Sequence, residues 1–110
     1  MTTAPLTINL PEGYSRWNVM DHLKTEEDMQ LYLQACLEED EGDGRLVRAA
    51  LGDIARARGM TQLARDTGLA RESLYKALSA DGNPEFSTIM KVIKALGLKL
   101  SATRVDAQAA

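Results

Sequence analysis

Arg71, Glu72, Ser73, Tyr75 and Lys76 crowd one short stretch of this 110-residue chain with polar and charged side chains of complementary chemistry. An arginine guanidinium can bridge the two acceptors on a guanine edge and a carboxylate can accept from cytosine. A good contact of this kind discriminates between bases by ~1–3 kcal/mol. Lysine reaches guanine or a phosphate, whereas hydroxyls and amides such as those of Ser73, Thr61 and Gln62 hold phosphates without reading sequence. The same side chains also clothe ordinary solvent-exposed helices. Their meaning depends on what positions them.

The surrounding stretch, MTQLARDTGLARESLYKAL (60–78), reads as two short helices joined by a turn at Gly68. Thr61 offers an oxygen to open the first helix, and Leu63, Ala64 and Thr67 line its inner face. Gly68 stands where a left-handed backbone is needed, which a residue without Cβ adopts at no steric cost. The second helix starts near Arg71 with Leu74, Ala77 and Leu78 inward, and the small Ala64 lets the two helices approach closely. This pattern predicts a helix-turn-helix whose second helix enters the major groove of double-stranded operator DNA. Arg71 and Lys76 are then the leading contacts. A plain helical hairpin is the alternative that the pattern alone leaves open. Motifs of this kind commonly dimerise on half-sites about one helical turn apart, so a homodimer is predicted.

No other constellation suggests chemistry. His22, the single histidine, lacks a Ser, Cys or carboxylate arrangement around it, and no metal cluster or phosphate-binding loop occurs. The chain is therefore predicted to have no catalytic residues, no metal, no cofactor and no enzymatic activity. Cys36 lies on an apolar helical stripe as a small core residue, and a single cysteine suits a reducing cytosol. No apolar run approaches the roughly 20 residues needed to cross a bilayer. MTTAPLTINLPEG has neither a basic leader nor an apolar signal core, so the expectation is a cytoplasmic protein without membrane association.

The net charge of −3 conceals a split. Up to Gly44, ten acids face only Arg16 and Lys24, a balance of −8; from Arg45 onward, eleven bases face six acids, a balance of +5. The basic half suits a polyanion and the acidic half repels one, which predicts two surfaces with different partners. The expected organisation follows: a flexible N-terminal arm (1–16), an acidic helical segment (17–44), a helix-turn-helix domain (45–102) and a disordered tail (103–110).

In the arm, Leu6, Ile8 and Leu10 alternate as a short extended piece would. Trp17 is expected to anchor the following turn on the core. Thr25 with Glu26, Glu27 and Asp28 marks a helix start, and Met29, Tyr32, Leu33, Cys36 and Leu37 form its inner stripe. Glu38, Glu39, Asp40 and Glu41 crowd negative charge at its end. They are expected either to be solvated or to dock a basic protein. Arg45–Arg58 is the next helix, with Leu46, Val47, Ala50, Leu51 and Ile54 inward and Gly59 as the stop. Ser79–Pro84 is a turn cluster, and Phe86 or Ser87 opens a last helix with Ile89, Met90, Ile93 and Leu96 inward. Leu98–Ala102 alternates as a short strand would, needing a partner that a second subunit could supply.

Taken in order, HLKTEEDMQLYLQACLEE, ALGDIARARGMTQLARDTGLARESLYKALS and GNPEFSTIMKVIKALGLKL resemble the antidote proteins of bacterial addiction modules, HigA-like type II antitoxins. The resemblance runs from about Trp17 to Ala102. It departs from the family in Asn18, where an Asp often stands, and in a longer acidic linker, EEDEGDGRL. It implies an all-α, lambda-repressor-like domain of about five or six short helices, and a small basic toxin partner of the RelE/ParE class. An antitoxin of this kind silences the toxin and represses the shared promoter. The family's helix-turn-helix carries over onto Thr61, Gln62, Arg71, Glu72, Ser73, Tyr75 and Lys76. No toxin-contact motif carries over; on charge alone, Glu38, Glu39, Asp40 and Glu41 are the candidates. The alternative is a stand-alone helix-turn-helix regulator, such as one derived from a phage, without a toxin.

Overall fold

The chain is seen here as a computed structural model that describes residues 10–79 and 81–105. Regular structure among them is helical throughout: α1 (Glu26–Glu39), α2 (Arg45–Arg58), α3 (Met60–Thr67), α4 (Arg71–Ala77) and α5 (Phe86–Ala95), preceded by a 3-10 turn at Val19–His22. Leu6 and Ile8 of the expected extended piece, Ala80 of the turn cluster and the final DAQAA lie outside the described residues.

Thr25 starts α1 with a capping box: its hydroxyl accepts from the Asp28 amide at 3.0 Å, and the Asp28 carboxylate accepts from the Thr25 amide at 3.1 Å. The Lys24 amide also donates to Asp28. That bond, with the Thr25 amide, holds the Asp28 carboxyl below its ordinary value. Met29, Tyr32, Leu33 and Cys36 are buried as their spacing predicts. Leu37 is 41% exposed, a correction to the inner stripe; it sits at the stripe's edge and lines an open groove.

The acidic linker has a specific structural use. The Asp40 carboxylate accepts from the amides of Gly42, Gly44, Leu46 and Val47 at 2.8–3.2 Å; the last two are first-turn donors of α2 that have no partner within the helix. Partial burial opposes the charged form, but these four amides together hold the Asp40 carboxyl below its ordinary value. From this start α2 buries Leu46, Ala50, Leu51, Ile54 and Ala55 against α1.

Asp53, also on α2, is a charged residue buried in the core. Arg16 grips it bidentately at 2.7 and 3.2 Å, the Tyr32 hydroxyl donates to it at 2.7 Å, and Arg56 donates at 3.3 Å. The bond to Asp53 raises the Arg16 pKa, and burial, reinforced by Asp53, drives that of Tyr32 upward. One carboxylate thus fastens the N-terminal segment and α1 to α2. The described part of the arm is docked here: Tyr14 packs edge-on against His22 and against the Tyr32 ring.

Trp17 does not anchor this segment. Its side chain is 94% exposed, and Val19 and Leu23 fill the core instead. The geometry explains the exchange: successive turns from Ser15 to Leu23 send Val19 and Leu23 inward, leaving Trp17 and Met20 outside.

Gly59, at φ 111°, ends α2 and begins α3. Because the helix starts directly at Met60, Thr61 lies inside it and makes no cap. Gly68 takes the left-handed conformation that the turn requires, φ 77°. Thr67 braces the turn, its hydroxyl donating to the Leu63 carbonyl and accepting from the Leu69 amide. After α4, Val92, Ile93 and Leu96 of the α5 region close the core, while Met90, expected inward, is partly exposed at the face's edge.

No strand occurs among the described residues, so the expected strand at Leu98–Ala102 is absent. A strand needs a second strand to pair with, and this segment finds a helix beside it instead. It runs along α1, where Leu33, Gln34, Leu37, Leu98 and Ser101 help line an open groove of about 400 Å³.

Candidate nucleic-acid interface

The candidate residues fall on α3 and α4. Within α4 only Leu74 is buried; Leu78 follows it into the core just past the helix end. Arg71, Glu72, Ser73, Tyr75 and Lys76 are all exposed, so the helix is fixed by one side and presents the rest to solvent. Packing against α3 and α2 determines its orientation. Gly52 of α2 lies so close to the end of α4 that a Cβ there would stand 2.8 Å from the Leu78 carbonyl oxygen.

Arg71 and Tyr75, one turn apart, interact directly. The guanidinium carbon lies 5.9 Å from the ring centroid, a cation–π arrangement that holds the cation over the outer face of α4. Thr61 and Gln62 are exposed on the first turn of α3, and the Gln62 amide donates to Asp66 at 2.9 Å. Among the acidic candidates, Glu38, Glu39 and Glu41 are exposed, whereas both Asp40 oxygens accept backbone amides, Oδ2 from the turn before α2 and Oδ1 from its first turn.

Arg56 joins this neighbourhood unannounced by the α4 stretch. With Gly52, Met60, Tyr75 and Leu78 it lines a small recess beneath α4, and its side chain is half exposed. In the sequence, Arg56 and Arg58 are last-turn cations of α2 that could reach phosphates, although the helix dipole alone accounts for them. Arg58 is used differently: it donates to the Leu96 carbonyl at 3.2 Å and pairs with Glu26 at 4.0 Å.

The remaining reactive residues lie elsewhere. Burial pushes the Cys36 thiol up to about 12, which leaves it protonated and unreactive at neutral pH. Among the described residues, no group of three or more His, Cys, Asp or Glu is placed to hold a metal ion. No described helix is long and apolar enough to cross a membrane.

Residues 13–104 match a family described as probable addiction module antidote protein. The chain belongs to this family. A Haemophilus influenzae relative, described as an uncharacterized protein, is 54% identical over 90 residues, spanning 82% of this chain and 91% of its own length. No solved structure matches. Membership in an antidote family implies a toxin as partner. The matched region takes in all five helices, the Asp53 network and the Asp40 cap.

Proposed function

We propose that this antidote is a HigA-like type II antitoxin of the cytoplasm that silences a small basic RelE/ParE-class toxin by direct binding. In this reading it also represses the shared operon as a homodimer. The α3–turn–α4 unit acts as a lambda-repressor-like helix-turn-helix, with α4 in the major groove of the operator. Family membership supports the toxin half of the reading. The observation that carries the DNA half is the asymmetry of α4: one buried residue holds the helix, and a cation, an acid, a hydroxyl, a phenol and a second cation face outward. Arg71 and Glu72 at its start and Tyr75 and Lys76 one turn later fit base and backbone contacts; Ser73, Thr61 and Gln62 fit phosphates.

The charge split gives the two activities separate territories. Segment 17–44, with Glu38, Glu39 and Glu41 exposed at the end of α1, attracts a basic toxin and accelerates encounter. Segment 45–102 carries the positive balance that a polyanion requires.

The test is growth of a host expressing the neighbouring small open reading frame, with wild-type antidote, with Arg71→Ala, or with neither. Arrest relieved by both versions, together with binding of the promoter fragment by wild type alone, supports both halves. Promoter binding without a toxic neighbour would leave a stand-alone regulator.

A further inference from the structure

We propose that Trp17 and Met20 form the apolar anchor of the surface on which the antidote binds its toxin, a basic protein with an apolar recess; this rests on the antitoxin reading above. Three observations carry it. The first is exposure. Trp17 is 94% and Met20 45% exposed, three residues apart along consecutive tight turns, whose geometry puts such neighbours on one side. Tryptophan and methionine are enriched at the buried centres of protein interfaces.

The second is rigidity beneath the exposed pair. Arg16, the residue before Trp17, is clamped bidentately on buried Asp53 at 2.7 and 3.2 Å. Asn18, the residue after it, is tied to Ser15: its Oδ1 accepts from the Ser15 amide at 2.8 Å, and its own amide donates back at 3.2 Å. Val19, next in line, is buried. The indole is therefore presented outward from a fixed base, so little backbone freedom remains to be lost on binding.

The third observation selects the partner. Along the chain on either side of Trp17, Glu12, Asp21, Glu26 and Glu27 are exposed, with Lys24 as the exposed lysine among them. Glu26 pairs with Arg58 at 4.0 Å, and Arg16 shares Asp53 with Arg56, so the acids of residues 12–27 still outnumber the bases. An apolar centre with an acidic rim fits a basic surface. A second copy of this same segment would bring like charges together. DNA would meet the acidic side of the chain, so neither is the favoured occupant.

Trp17 is the single tryptophan of the chain, which makes it its own reporter. The probe is the purified product of the adjacent small open reading frame, titrated into antidote labelled with fluorotryptophan and followed by fluorine NMR. The expected result is a shift of the Trp17 resonance that saturates with complex formation. Trp17→Ala, changing a side chain that touches little of the core, should weaken toxin binding by about 30-fold or more while promoter binding and melting temperature stay unchanged. Binding of the toxin with an unshifted resonance and an unaffected Trp17→Ala variant overturns the surface and leaves the antitoxin reading standing. Failure of wild type to bind the toxin overturns both. A shift that depends on antidote concentration alone overturns the assignment in favour of self-association.

Discussion

The Tyr32 hydroxyl donates to Asp53 Oδ2 across 2.7 Å, joining α1 to α2 inside the core. The same carboxylate holds Arg16, so removing it leaves a buried phenol and an arginine without their acceptor. Asp53→Ala is expected to cost about 2–4 kcal/mol, because it leaves the buried Tyr32 hydroxyl without an acceptor and releases two half-exposed arginine pairs. Tyr32→Phe, which leaves both arginines on Asp53, should cost only about 0.5–1.5 kcal/mol. Thermal unfolding of the two variants distinguishes these cases; equal losses would show that the carboxylate is not the hub of the network.

Asp40 gives the fold an acid-sensitive element. Its folded pKa lies below the ordinary 3.8. Its charge therefore adds stability that is fully present above about pH 4 and is lost as pH falls through the lower, folded value. Asp40→Ala removes the acceptor of four amides and should cost about 1–2 kcal/mol at neutral pH. Urea midpoints of wild type and Asp40→Ala should converge as the pH is lowered below 4. A constant gap would mean that the carboxylate's charge contributes nothing.

On the proposed operator, Arg71→Ala and Lys76→Ala should differ in kind. The first is expected to lose ~1–3 kcal/mol and relax preference at one base position, while the second weakens all sequences alike and lowers the salt slope by about one. Anisotropy titrations over a set of operator variants and salt concentrations separate the two. If both substitutions are silent, α4 does not lie in the groove.

Gly52→Ala sets two effects of opposite sign against each other. Replacing a helical glycine by alanine ordinarily stabilises by about 1 kcal/mol. Here the new Cβ would meet a backbone oxygen at 2.8 Å, which cannot rotate away as a side-chain tip could. Overpacking of this sort costs about 1–3 kcal/mol, so net destabilisation is expected, with displacement of α4 and weaker promoter binding. A rise in the denaturation midpoint would contradict this close approach.

The elements legible in the sequence are those governed by neighbours along the chain. The Thr25 box, the stripe of Met29, Tyr32, Leu33 and Cys36, the Gly59 stop and the Gly68 turn all depend on residues a few positions apart. What escaped depends on pairs far apart in the chain. Arg16 and Asp53 are separated by 37 positions, and no local pattern announces their contact. That contact, with Val19 and Leu23 beside it, leaves room for Trp17 to face water, whereas hydropathy alone sends it inward. Asp40 was read as surface charge because a carboxylate that caps the following helix resembles one that is merely solvated. The alternation at Leu98–Ala102 was real, but alternation cannot provide a partner strand. For the candidate interface, the α4 residues were visible from composition and Gly68, whereas Arg56 was legible only as a last-turn cation able to reach phosphates, and its place beside Tyr75 depends on how α2 folds beneath α4.

A helix that ends and another that begins on one glycine share no spare chain. Gly59 is the whole connection between α2 and α3, whereas residues 78–85 separate α4 from α5. A residue added beside Gly59 would lengthen a corner that has no slack, shifting Leu63 from its place in the core and carrying α4 with it. The longer connection can absorb the same insertion in its loop. Changes of length are thus tolerated downstream of α4 and forbidden upstream, so the aim of α4 is inherited from α2 as a fixed angle.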